Sequence, residues 1–274
     1  KLIYCSITGY GQTGALKDRA GHDINYLALS GVADYSHRKG ECPVPQAVRI
    51  ADVAGGSHHA IMGVLAAVIE RSQTSLGQHV DISMTDCAFS MNAMFASGYL
   101  GGGVEPQAEG TMLNGGSFYD YYETSDGRFM SVGSLEPQFL MQLCEALDIK
   151  QLISKAGSQK ESDTAEFKQA IKDKMLSQSF EHWCSVFAKL DACVEPVLTF
   201  KEASEQQHAQ DRNWLSVTTA KNGSELTQLS NPILKPSDIR HTGGAIGSDT
   251  QAILLDNGLS QETIDELKQK KVIS

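Results

Sequence analysis

Leu2-Ile3-Tyr4-Cys5-Ser6-Ile7 runs directly into Thr8-Gly9-Tyr10-Gly11-Gln12-Thr13-Gly14. A short apolar run that breaks into glycines reads as a buried strand entering a loop. A second strand is predicted at Gln78-His79-Val80-Asp81-Ile82-Ser83-Met84, where polar and apolar residues alternate. Two helical stretches lie between them. One covers Ile24 to Val32. The other follows Asp52, where Ile61, Val64, Leu65, Val68 and Ile69 recur at three- and four-residue spacing and are expected to face the core. The run Cys87 to Leu100 reads as a buried helix. Strands interleaved with helices predict an α/β fold.

The sharpest boundary is Gly101-Gly102-Gly103 and the polar residues through Gly116. We therefore place a large domain at 1–104 and a linker at 105–116. Beyond it, Phe118 to Tyr122 and Phe129 to Val132 flank a Ser125-Asp126-Gly127-Arg128 turn, as in a hairpin. Helices are expected at Phe139–Leu147, Glu166–Leu176 and Phe180–Leu190, giving a smaller α+β domain over 117–200. Residues 201–230 read as a second linker, and 231–274 as a return to the large domain. A last helix is expected after Ser260, with Glu262, Asp265 and Glu266 early and Lys268, Lys270 and Lys271 late, matching the helix dipole.

The 274 residues are long enough for one large domain or two modest ones, and 41% apolar with 20% charged residues is ordinary for a globular chain. A net charge of −10 without Lys/Arg clusters argues against nucleic acid as a partner. The six cysteines form no C-x-x-C pair, which fits reduced thiols in a cytoplasmic protein. No apolar run reaches the length of a bilayer span, so no membrane role is expected. Lys1 opens on an apolar stretch, and we expect a leading segment ahead of it.

Gly9-Tyr10-Gly11-Gln12-Thr13-Gly14 satisfies G-x-G-x-x-G, but the residues after it lack the apolar period of the crossover helix that a dinucleotide site needs. A loop beside a ligand is the better reading. In it, Lys17 and Arg19 either meet phosphates or are merely solvated. His58 and His59 are adjacent, so on a helix they diverge by about 100° and do not share a metal; no metal site is expected. No serine sits in a G-x-S-x-G elbow. Three residues remain. His22 and Asp52 read equally as helix N-caps or as chemical groups, and Glu136 as a turn acid before Pro137 or a functional one. Gly55 and Gly56 weaken a helix by roughly 1 kcal/mol each, which points to something approaching the backbone closely there.

At Ala20-Gly21-His22-Asp23-Ile24-Asn25-Tyr26, Asp52-Val53-Ala54-Gly55-Gly56 and Val132-Gly133-Ser134-Leu135-Glu136-Pro137-Gln138-Phe139 the sequence resembles the family III CoA transferases (CaiB/BaiF family), in their racemase branch. The resemblance runs from Leu2 through Tyr122–Arg128 to Asp191–Leu198 and loosens after Asn231. It implies a Rossmann-like large domain whose N-terminal part, including a basic segment that helps bind CoA, is expected to be missing ahead of Lys1. It also implies a smaller α+β domain and an interlocked homodimer with the active site between domains.

By this resemblance the substrate is an acyl-CoA thioester and the reaction is racemisation of 2-methyl-branched acyl chains, without metal or redox cofactor. His22 and Asp52 are the expected acid/base pair on opposite faces of a planar enolate, with Glu136 holding the far nitrogen of His22. Asp23, Tyr26, Gly55, Gly56, Lys17 and Arg19 are expected around substrate and CoA, the backbone N–H of Asp23 as a donor to the enolate oxygen. Met84, Met91, Met94 and Met112 either line the acyl tail or are core. Transferases of the family have an aromatic residue at the position of His22 and use the matching aspartate as a nucleophile. That activity is the first alternative, and a non-catalytic acyl-CoA-binding fragment the second. The last residues, Lys271-Val272-Ile273-Ser274, are not a Ser-Lys-Leu peroxisomal address.

Overall fold

The computed structural model describes residues 1–220, 223–233 and 244–273. Contacts divide it into two compact units, Lys1–Val197 and Leu198–Ser274.

The first unit opens as the sequence predicts. Strand β1 (Ile3–Thr8) pairs in parallel with β2 (Gln78–Ser83), Ile3 opposite Gln78 and Thr8 opposite Ser83. The connection between parallel strands must cross the sheet and is helical here, as such connections usually are. It comprises α1 (Asp23–Leu29), then a π-helical segment Ala51–His58 that continues into α2 (His59–Thr74). Helices α3 (Met84–Ser90) and α4 (Ala93–Gly102) follow β2.

Three expectations fail in this half. β1 contains no fully buried residue, and Tyr4 and Ile7 are exposed. On α2 the side chains in the core are Ala60 and Ala67, whereas Ile61, Leu65 and Ile69 are each more than half exposed. The sheet holds two strands, and only the small-residue side of α2 can approach it: Gly63 lies against Val80, where a Cβ would come within 2.8 Å. The run Cys87–Leu100 is two helices and not one buried one. Asn92 interrupts it, its Nδ2 donating to the carbonyls of Phe89 (3.0 Å) and Ser30 (3.1 Å), and α4 has no buried residue. A fourth departure concerns length. Joined through the π-helical segment, Ala51–Thr74 is 24 residues and apolar enough by length and composition to cross a membrane, although it carries Asp52, Ser57, His58 and His59 near its start.

Residues 117–197 hold the larger core. β3 (Asp120–Glu123) and β4 (Phe129–Val132) form the expected hairpin, closed by Thr124 N–H to Arg128 O at 2.8 Å with Gly127 at positive φ. β5 (Val194–Pro196), not foreseen, pairs antiparallel with β4. Helices α5 (Pro137–Ala146), α6 (Glu161–Leu176) and α7 (Phe180–Phe187) pack Leu143, Phe167, Ile171, Met175 and Trp183 onto Met130 and Val132.

Residues 1–104 and most of 117–200, expected as separate domains, fall in one compact unit, Lys1–Val197, and an ionic cluster runs between them. The Arg38 guanidinium donates to both carboxylate oxygens of Asp120 (2.7 and 2.5 Å) and to Glu109 (2.9 Å), and the Lys168 ammonium reaches Asp120 at 2.7 Å. Glu109 itself belongs to the irregular stretch between α4 and β3.

The second unit begins with α8 (Phe200–Glu205) and α9 (Gln207–Asp211), then a hairpin of β6 (Leu215–Thr219) and β7 (Glu225–Leu229). Within 201–230, expected as a linker, the described residues include two short helices and a hairpin: a Thr199–Glu202 capping box starts α8, and β6 pairs with β7 over five residue pairs. The unit ends with α10 (Thr250–Asp256) and α11 (Gln261–Gln269), the latter capped by Ser260 as predicted. Part of the expected return to the large domain, 234–243, lies outside the described residues.

Candidate active site

His22 stands at the N-cap of α1 in extended conformation, its N–H held by the Asn25 side chain at 3.0 Å. Its ring is exposed to solvent. Asp52, half-buried, lies in the first turn of the π-helical segment. The residue between them in space is Asp23. Its Oδ2 accepts from the backbone N–H of Ala51 at 2.7 Å and of Asp52 at 3.2 Å, so the residue after His22 caps the helix that carries Asp52. Asp23 is 2% exposed, and its Oδ1 is buried without a hydrogen-bond partner.

The loop before His22 is fixed by close packing. Tyr26 donates its hydroxyl to Gly21 O at 2.5 Å and meets Tyr10 edge to face at 5.3 Å. A Cβ on Gly9 would come within 2.5 Å of the Tyr26 ring, and one on Gly21 within 2.6 Å of the Tyr10 hydroxyl. Both positions therefore require glycine for reasons of space. Burial pushes the Tyr26 phenol above its ordinary range, and Tyr10 and Asp52 add to the shift. Tyr26 is thus packed behind the motif. Two amides of the loop Gly9–Gly14 are taken up within the chain: Gly11 N–H bonds Thr8 Oγ1 at 3.0 Å and Gln12 N–H the Asp81 carboxylate at 3.0 Å.

The π-helical turn is itself informative, because such turns are rare and concentrate at functional sites. Gly55 and Gly56 permit it. A Cβ on Gly55 would lie 3.2 Å from Met84 O, and one on Gly56 3.2 Å from the Met84 side chain and 3.4 Å from Ile7. What approaches these glycines within the chain is the start of α3 and, at Gly56, Ile7 of β1. Both are buried.

Glu136 is the N-cap of α5, before Pro137. Gly133 N–H to Cys193 O at 2.8 Å and the buried Ser134 hydroxyl to Ala192 O anchor its loop to the segment before β5. Burial first, then Glu136, Asp191 and Glu195, push the Cys193 thiol up. Among the described residues no hydrogen bond or ion pair joins Glu136, which is exposed, to His22, whereas Asp23 bonds the start of the helix of Asp52. Lys17 and Arg19 are exposed on the turn before His22 and make no ion pair among the described residues. Met91, Met94 and Met112 are exposed rather than core, whereas Met84 packs on Gly56.

A cleft of about 1080 Å³ runs beside these elements, from Leu27 of α1 and Ile50, two residues before Asp52, to Gly133, three before Glu136. Tyr35, Val44 and Leu113 contribute apolar walls, and the Arg38 charge at its edge is already matched by Asp120 and Glu109. Such walls suit the apolar part of a ligand better than its anionic part. The six cysteines are free, and no group of three His, Cys, Asp or Glu side chains is arranged for a metal among the described residues. Sequence reading singled out Asp23 for its backbone N–H and missed its carboxylate; the partner amides are 28 and 29 residues away, beyond any local pattern.

The chain is 35% identical over 282 residues to the alpha-methylacyl-CoA racemase of Mus musculus, and 34% identical over 277 residues to the human protein of that name; each alignment covers the whole chain and 72% of the relative. The crystal structure of a CAIB/BAIF family protein from Brucella suis superposes with a TM-score of 0.74 at 23% identity, covering 93% of this chain and 68% of that one. The model of CoA-transferase family III matches residues 1–246, and the chain belongs to that family.

Proposed function

We propose that the protein racemises 2-methyl-branched acyl-CoA thioesters by removing and restoring the proton next to the thioester carbonyl. The observation that carries this reading is the Asp23 bridge: it sets His22 and Asp52, two groups able to exchange a proton, at the starts of two helices joined by one carboxylate. The full-length similarity to proteins named as racemases supports it.

Inversion through a planar enolate needs a base on one face and an acid on the other, with roles exchanged in the reverse direction. His22 and Asp52 supply them. The thioester carbonyl acidifies the α-proton, so the step needs neither metal nor redox cofactor. Negative charge develops on the thioester oxygen, and the backbone N–H of Asp23, which opens α1 ahead of the Asn25 N–H bonded to His22 O, is the donor for it. Glu136 supports His22 as imidazolium once it reaches the far nitrogen. Since it does not do so within one chain, we propose that a homodimer completes the site, with the exposed apolar faces of α2 and α4 taking part in assembly.

The competing activity is CoA transfer through Asp52. A single epimer of a 2-methylacyl-CoA, incubated with a free carboxylic acid, separates the two. We expect epimerisation, lost in both His22→Ala and Asp52→Ala, and no new thioester. Movement of CoA to the acid, with an Asp52 thioester trapped by hydroxylamine, would establish the transferase instead.

A further inference from the structure

We infer that the side chain of Asp23 is a positioning residue that sets the distance between the two reacting groups. The inference rests on the racemase reading above and adds to it a residue whose carboxylate touches neither substrate nor proton.

Three observations carry it. Asp23 immediately follows His22 in the chain, so anchoring its carboxylate restrains the backbone that carries His22. Its Oδ2 accepts from Ala51 N–H and Asp52 N–H, so the same side chain fixes the start of the helix that bears Asp52. Its Oδ1 is buried and unpartnered, in a residue 98% removed from solvent (2% exposed). An orphaned buried acceptor is costly, and Ser or Asn would cap the same two amides without burying a carboxylate. A cap selected for stability alone would not take this form. A rigid link between His22 and Asp52 explains it, because the two must face one carbon from opposite sides within a few tenths of an ångström.

The consequence is specific to a two-base reaction. When the link loosens, one group still removes the α-proton, but the other no longer meets the enolate from the opposite face. Reprotonation then returns to the face of departure, and the substrate exchanges its proton with retained configuration.

Asp23→Asn and Asp23→Ala are therefore to be compared with the wild type in heavy water, following deuterium wash-in and inversion of a pure epimer together, with KM and kcat. Asp23→Asn keeps the shape and one acceptor oxygen, so it tests the role even where Asp23→Ala folds poorly. We expect inversion to fall by about 10²-fold in Asp23→Ala and less in Asp23→Asn, with KM moving little and the ratio of wash-in to inversion rising in both. A merely structural role lowers wash-in and inversion in proportion; an unmoved ratio would overturn the inference. A wild type that neither exchanges nor inverts removes the racemase reading and this role with it, whereas an active wild type with unmoved ratios in the variants removes the positioning role alone.

Discussion

Asp120 shows how one residue holds two parts of the chain together. Its side chain is 7% exposed, and burial by itself pushes the carboxyl up. Hydrogen bonds from Arg38 and Lys168 outweigh that and leave it below the usual carboxylate range. Glu109 follows the same balance, burial opposed by Arg38 and the Lys39 amide, and also ends low. A carboxylate whose folded value lies below its unfolded one, about 4, contributes stability that is complete above that value. The contribution disappears as pH falls through the folded value. We predict that the urea midpoint is level near neutrality and drops below about pH 4, and that Asp120→Asn lowers the unfolding free energy at pH 7 by roughly 1–3 kcal/mol, since Arg38 is partly exposed and screened. The variant should also be less sensitive to acid. Urea titrations from pH 3 to 7 check both, and parallel curves for the two proteins would show that the cluster is not what fails in acid.

At the scale of elements, α2 raises the clearest question. Its spacing of Ile61, Leu65 and Ile69 is that of a helix with a buried face, yet that face is turned to solvent in the single chain. Periodicity reports that a face is to be buried, not against what. If the face belongs to a dimer, placing a charge at its centre separates the copies: Leu65→Glu is predicted to shift sedimentation equilibrium at micromolar concentration toward the monomer without loss of helix content. A wild type that sediments as a monomer would reject the assembly.

The same limit explains which elements could be read from sequence. β1, β2, the 120–132 hairpin and the Ser260-capped α11 carry local signals, namely alternation, a Gly turn or a cap, and were legible. β5 is three residues long and exists only by pairing with β4 from a distance of more than 60 residues, so no local pattern marks it. The β6–β7 hairpin sits in polar text whose strands are largely exposed, where alternation is weak. In the candidate site, His22 and Asp52 were legible as motif residues and neighbours of glycines. The reason for Gly55 and Gly56 was not, because contact with Met84 is tertiary.

The whole molecule combines a well-filled core around Met130, Phe167 and Ile171 with an N-terminal half that has a small core of Tyr26, Leu27, Ala51 and Ala88. That small core lies directly behind the proposed chemistry: Tyr26 and Leu27 come from the helix of His22, and Ala51 precedes Asp52. Packing there keeps two helix starts in register through Asp23, while the larger core supports the loop of Glu136. The central claim is that this arrangement moves a proton at carbon. Deuterium wash-in at the α-carbon of one 2-methylacyl-CoA epimer in heavy water tests it most directly, for the wild type beside His22→Ala and Asp52→Ala. We predict wash-in with loss of stereochemical purity in the wild type, and loss of inversion in either variant. Folded wild type that leaves the α-proton in place would contradict the account.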